Sequence, residues 1–160
     1  MKKKILLILL VVIVVIQFIR PTKNKSTAMS ANDISRHYTI PANVDAILKR
    51  SCNDCHTNNT IYPWYTNIQP VGWWLQYHVD DGKSHLNFSE FATYAPKRQH
   101  HKLEETIEMV REGEMPLNTY LWMHDKAKLS TEDQTTLVNW ADALMKEIAA
   151  KHNLPTEGKK

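Results

Sequence analysis

Both cysteines of this 160-residue chain fall in one pentad, Cys52-Asn53-Asp54-Cys55-His56. The C-x-x-C-H spacing is that of covalent haem attachment. Two intervening residues let both sulfurs form thioethers with the two vinyl groups on one porphyrin edge, and the next residue turns its imidazole under the iron. The chemistry expected is one covalently held haem c, with Cys52 and Cys55 as anchors and His56 as the proximal iron ligand. Other uses of the motif fit less well. A thioredoxin-like redox pair belongs in a βαβ setting, of which the sequence has no trace, and zinc would require two further ligands that cannot be cysteines.

A low-spin cytochrome iron takes a ligand on its other face, and a thioether there favours ferrous iron and raises the reduction potential. Met115 is the leading choice, because it follows a helix that ends at Gly113 and Pro116 stiffens the loop that would present its sulfur. His78, on one face of a predicted helix, is the best histidine alternative. Met109 sits inside a predicted helix, and Met123 and His124 lie in a stretch whose orientation the sequence does not fix. His85, His100, His101 and His152 are expected to be solvated. Aromatic rings cover the apolar faces of a haem well, so Trp64, Tyr65 and Trp74, together with Pro116, are expected to line the pocket. Tyr62 or Tyr65 could hydrogen-bond a propionate, and Arg98 or Arg111 could pair with one.

These residues need elements to hold them. Pro41 suits a first helical turn, and Val44, Ile47 and Leu48 then follow at helical spacing just ahead of Cys52. Thr57 to Pro70 holds two prolines and several asparagines among aromatics, the composition of an ordered loop that wraps something. Val71 to Val79 reads as a helix stopped around Asp81-Gly82, where glycine could take a left-handed cap. Asn87 with Glu90 resembles a capping pair opening a short helix through Phe91 and Tyr94. Leu103, Ile107 and Val110 make another helix, ended by Gly113. Ser130 and Asp133 form a capping box for a last helix that carries Leu137, Trp140, Ala141, Leu144 and Ile148 on one stripe, with Trp140 in the core. No strand pattern and no repeat appears, so the class is all-α.

Composition agrees with one folded helical domain: 42% of residues are hydrophobic, 23% charged and only four are glycine, a profile neither disordered nor low in complexity. The formal charge of +3 is uneven, since six of the 20 Lys and Arg precede residue 26 and none of the 17 acids does. The rest is mildly acidic, which excludes the basic face that nucleic-acid binding requires. Lys2-Lys3-Lys4 leads into an unbroken apolar run from Ile5 to Ile16, an export signal of some kind. The run is short for a span, and that length favours cleavage. However, no small-x-small site follows it directly, and Lys4 and Arg20 can snorkel to the headgroups, so an uncleaved anchor is preferred. The expected division is a signal-anchor or transmembrane segment over 1–20, a tether over 21–34, a haem domain over 35–152 and a disordered tail over 153–160.

Taken together, several stretches resemble one known family, the small bacterial haem-binding domain proteins, which are single-haem c-type cytochromes with an N-terminal membrane segment. The stretches are Cys52 to Thr60, Tyr62-Pro63-Trp64-Tyr65, Pro70-Val71 with Trp74, and Gly113-Glu114-Met115-Pro116 with Tyr120, His124, Leu129-Ser130 and Trp140. The resemblance covers about Asn43 to Trp140 and implies haem binding with His56 and Met115 as iron ligands, for electron transfer or haem-dependent sensing. The layout is more distantly similar to compact mitochondrial-type cytochromes c. It departs from them at Leu117, where a second proline often follows the methionine.

The expectation is thus a compact, all-α, cytochrome c-like domain behind an N-terminal membrane helix. It would be single-pass in a bacterial inner membrane, facing the periplasm, since haem is attached on the exported side. There it would pass single electrons between redox partner proteins in or at the membrane, without being an enzyme. A haem-based sensor or gas-binding module with an open sixth position is the alternative. Peroxidase activity would ask for a distal His and Arg, for which His100 or His101 near Arg98 is the only hint.

Overall fold

The computed structural model describes residues 1–155. These form an all-helical protein in which eight α-helices and three short 3-10 turns are joined by loops, with no β-strand among the described residues. The expected tail over 153–160 falls mostly on 156–160, outside the described residues.

The core is built by α3 (Ala42–Ser51), α6 (Pro96–Glu112) and α8 (Thr131–His152). Pro41 caps α3, whose Val44, Ile47 and Leu48 are buried as their spacing requires. Helix α6 lies along α8 and ends at Gly113, whose φ of 74° is the left-handed conformation that glycine adopts without steric cost. At the start of α8, Ser130 Oγ accepts from the Asp133 N–H, and the Asp133 carboxylate accepts from the Ser130 N–H. Leu137, Ala141, Leu144 and Ile148 of its stripe pack with Leu103 and Val110 of α6, and Trp140 is buried beside them. Complete burial of each Leu, Ile or Val in this set stabilises by ~1.5–3 kcal/mol.

The short helix α2 (Ile34–His37) adds Ile34 and Tyr38 to this core, together with Phe88 and Phe91 from the 3-10 turn Phe88–Thr93. Asn87 caps that turn as its sequence implied, accepting from the Ser89 N–H. Glu90 does not complete a capping box. Its carboxylate instead accepts from Ser30, Asn32 and Asn58, tying three segments together.

Two elements differ from the sequence expectation in ways that bear on function. Helix α5 (Val71–His85) does not stop at Asp81-Gly82 but runs through it. And residues 17–26, expected to fall in a loose tether from 21, are bonded along the domain. Gln17 and Gln69 exchange two hydrogen bonds, at 2.9 and 3.1 Å. The Trp73 indole N–H donates to the Ile19 carbonyl at 2.7 Å, and Asn24 bonds Tyr62, Thr57, Thr60 and Lys83.

Helix α1 (Lys2–Ile16) precedes this strap and has no buried residue, with Ile5 to Val15 all exposed. At 15 residues it is ~22 Å long, against a hydrocarbon core of ~30 Å. No helix among the described residues is long and apolar enough to cross a membrane, so the expected transmembrane helix is not supported.

Candidate functional site

The pentad occupies a helical turn set off from the core. Cys52 closes α3 by donating its N–H to the Leu48 carbonyl at 2.9 Å, and its φ of −126° then breaks the helix. A new turn, α4 (Asn53–His56), begins at once, with the N–H groups of Cys55 and His56 returning to the Cys52 carbonyl at 3.2 and 3.0 Å. Both cysteines are free and half-buried. Burial pushes the Cys52 thiol up to about 12, with Cys55 adding to the rise and Arg50 opposing it. Burial and then Asp54 push Cys55 up to about 11. Both sulfurs therefore stay protonated near neutral pH.

His56 is held by a backbone group that no sequence motif encodes. Its Nδ1 lies 3.0 Å from the carbonyl oxygen of Leu86, at the end of α5. A carbonyl only accepts, so Nδ1 carries the proton and Nε2 keeps the lone pair that a metal would use. Burial lowers the pKa of this imidazole, partly offset by backbone hydrogen bonding, and favours the neutral ring. Phe88 packs edge-on at 6.4 Å. The close packing of α5 on α4 rests on Gly82. A Cβ there would stand 3.1 Å from both the Cβ and the carbonyl oxygen of Cys55, tighter than ordinary contact.

Asp54, between the cysteines, latches the surrounding loops. Its Oδ1 accepts from the Ile61 N–H at 3.0 Å and its Oδ2 from the Tyr120 hydroxyl at 2.8 Å. Burial and this carboxylate push the Tyr120 hydroxyl pKa far up, which keeps it a donor. Thr60 Oγ donates to the Asp54 carbonyl at 2.6 Å. No motif marks this role, although Tyr120 lies in one of the stretches that carry the family resemblance.

Beside Cys55 opens a largely apolar cavity of about 270 Å³, walled by α5, the 57–70 loop and the segment around α7 (Asn118–Leu121). Cys55, Tyr65, Trp74 and His78 line it, as do Tyr120, Met123 and His124. Of the residues expected at a haem pocket, Tyr65 and Trp74 line this cavity. Trp64 is 74% exposed and touches the site through Tyr65, at 6.0 Å between ring centroids. Met115 and Pro116 are half-buried and lie outside the lining, which Leu117 joins instead. The Tyr62 hydroxyl is already committed, donating to Gln76 and accepting from the Asn24 N–H, both at 2.7 Å. Arg98 stands over Tyr94, and neither it nor Arg111 borders the cavity. His101 pairs with Glu104 and Glu105 on α6, also away from it.

The sequence profile of the haem-binding domain matches residues 11–143. The chain belongs to the haem-binding domain family. The match takes in the end of α1, the strap and the whole helical unit as far as the middle of α8, so the strap falls within the haem-binding domain. No curated protein and no solved structure matches the chain.

The residues of this haem-binding domain fit the group. The cavity wall is apolar, as a porphyrin face requires, and Cys55 forms part of it. Its volume lies just under the ~300–1,000 Å³ of common ligand clefts, but Ile61 and Met123 at its edge are 75% and 63% exposed and extend the apolar surface. His78, one of the wall residues, has its Nε2 buried without a hydrogen-bond partner, a state that calls for a partner in the complete protein.

Proposed function

We propose that this haem-binding domain is a monohaem c-type cytochrome that passes single electrons between redox partner proteins. In this reading each thiol of Cys52 and Cys55 adds across one vinyl group. A carbon–sulfur bond forms at the carbon next to the ring, and the thiol hydrogen goes to the terminal carbon, so no external oxidant or reductant is consumed. His56 supplies the proximal ligand through Nε2. The bound iron supplies a one-electron couple, while the chain supplies attachment, axial donors and an apolar wall. The observation that carries the reading is the Nδ1–H of His56 held on the Leu86 carbonyl at 3.0 Å, which fixes the tautomer and aims the basic nitrogen away from α5's end.

Localisation follows from the same chemistry. The domain would sit on the exported side of a bacterial inner membrane, where haem is attached to reduced thiols. There α1 and its lysines would serve as an uncleaved anchor, with snorkelling and local bilayer thinning making up for its length. The bonding of residues 17–26 to the domain supports an anchor that is retained.

Denaturing electrophoresis with haem staining, and the pyridine haemochrome spectrum of the full chain, test the proposal. The expected result is haem that survives denaturation, with a spectrum of two thioethers that shifts to one in Cys52→Ser and in Cys55→Ser. Haem lost on denaturation overturns it.

A further inference from the structure

We infer that Nε2 of His78 is the second axial ligand of the haem iron. The inference rests on the proposed attachment at Cys52, Cys55 and His56, and replaces the thioether that loop position alone would select. Among the described residues only two buried side-chain polar atoms lack a hydrogen-bond partner, Ser51 Oγ and His78 Nε2. The serine does not border the cavity; the histidine does. A buried imidazole nitrogen left unpaired is unfavourable unless something in the complete protein binds it.

The position suits that role. His78 lies one helical turn before Gly82, the residue on which Cys55 rests, so the backbone of α5 that packs against the pentad also carries the histidine. Its ring is flanked by two aromatic side chains. Trp74 meets it edge-on at 4.7 Å and an interplanar angle of 86°, and Tyr77 flanks it at 5.7 Å. An imidazole flanked by aromatic rings in the cavity wall, with one nitrogen buried and unpartnered, is suited to a ligand.

The other candidates are less well placed. Met115 does not line the cavity, so its sulfur would have to be carried inward. Met123 lines it but is 63% exposed. His124 comes nearest to a rival: its Nδ1–H donates to the Tyr120 carbonyl at 3.1 Å, as that of His56 does to Leu86, and its ring stacks on Tyr120 at 4.1 Å, but its Nε2 is not among the buried atoms left without a partner. Two imidazoles donate more strongly than an imidazole with a thioether, so the ferric state gains and the potential falls below that of a His/Met cytochrome.

The test uses the full-length holoprotein, matured with covalent haem, and four variants: His78→Ala, His78→Met, His124→Ala and Met115→Ala. Covalent haem is scored first by staining, and its absence from the wild type would sink the functional reading and not this assignment alone. The wild-type ferric protein is expected to show low-spin magnetic and near-infrared signatures of two imidazoles. His78→Ala is expected to turn high-spin, to bind carbon monoxide rapidly when reduced, and to regain the low-spin spectrum with added imidazole. His78→Met should raise the potential, whereas Met115→Ala and His124→Ala should both keep the low-spin signature of two imidazoles. A thioether-to-iron charge-transfer band in the wild type overturns the assignment even if no variant folds. So do a high-spin wild type, and a loss of low-spin signal in Met115→Ala or His124→Ala with none in His78→Ala.

Discussion

Gly82 and Cys55 are in backbone contact: a Cβ on Gly82 would lie 3.1 Å from the carbonyl oxygen and 3.1 Å from the Cβ of Cys55. This contact sets how closely α5 can approach the attachment turn. In an ordinary helix interior Gly→Ala is worth up to ~1 kcal/mol of added stability. Here the added methyl must push α4 outward, and overpacking of that kind costs ~1–3 kcal/mol. Gly82→Ala is therefore expected to destabilise the domain by about 1 kcal/mol net and to lower the yield of haem per chain. Urea unfolding and the haem-to-protein absorbance ratio would check both, and a variant more stable than wild type would show that α4 yields freely.

Asp54 joins three segments through one carboxylate, accepting from Ile61 N–H and the Tyr120 hydroxyl while its own carbonyl accepts from Thr60. Hydrogen bonds to a charged group contribute ~1.5–3 kcal/mol each when protected from water, and the site is only half-buried. Tyr120→Phe is expected to cost about 1 kcal/mol, and Asp54→Ala about twice that, because it leaves the Ile61 N–H unpaired as well. In a double-mutant cycle on thermal unfolding the two losses should be clearly non-additive. Strict additivity would mean that the hydroxyl and the carboxylate do not interact.

What the sequence disclosed depends on how local each signal is. The capping box of Ser130 and Asp133 and the left-handed Gly113 were legible because each is settled within four residues by the backbone's own unpaired groups. The stripe from Leu137 to Ile148 was legible through its period. Gly82 was misread as a cap because its task comes from packing against Cys55, far off in sequence. The partner of His56 is a backbone carbonyl, which any residue at position 86 would provide. Trp64 and Tyr65 were expected at a haem through nearness to the motif and Trp74 through its aromatic ring alone; Tyr65 and Trp74 line the cavity and Trp64 does not. The direction in which the loop after Gly113 would carry Met115 had no local determinant.

The start of α8 carries a pH dependence whose sign can be worked out. The Asp133 carboxylate accepts from the Ser130 backbone N–H and hydroxyl and pairs with Arg50 at 2.9 Å. The backbone bond first, then the hydroxyl and Arg50, hold its pKa below the ordinary value despite partial desolvation. A group with a depressed folded pKa contributes stability that is fully present above its unfolded pKa, about 4 for aspartate, and is lost as pH falls through the folded value. Stability should thus be flat in this respect near neutrality and decline in the acid range. Asp133→Asn should remove part of that decline, and Ser130→Ala should cost ~1 kcal/mol at neutral pH. Urea midpoints measured from neutral pH down to about pH 3 would show it. An identical acid slope in wild type and Asp133→Asn would contradict the role.

The strap over residues 17–26 makes the strongest prediction about how the chain can be cut. Gln17 and Gln69 satisfy one another's side chain and backbone, Asn24 bonds four residues on two elements, and Lys25 bridges Asn59. None of these contacts shows periodicity, so they read as linker in the sequence, yet they close the side of the domain from which α5 starts. Each part-buried bond contributes ~0.5–1.5 kcal/mol, and the removal of several at once would consume much of the ~5–15 kcal/mol that stabilises a domain of this kind. A chain beginning at Thr27, which keeps Ser30, Asn32 and Ile34, should therefore unfold at markedly lower urea than one beginning at Gln17, and should show greater proteolysis between Thr57 and Pro70. Asn24→Ala in the full chain should reproduce part of the loss, about 2 kcal/mol, by unpairing the Thr57 carbonyl and Lys83 together. Equal urea midpoints for the two truncated chains would mean that the strap rests on the domain without supporting it.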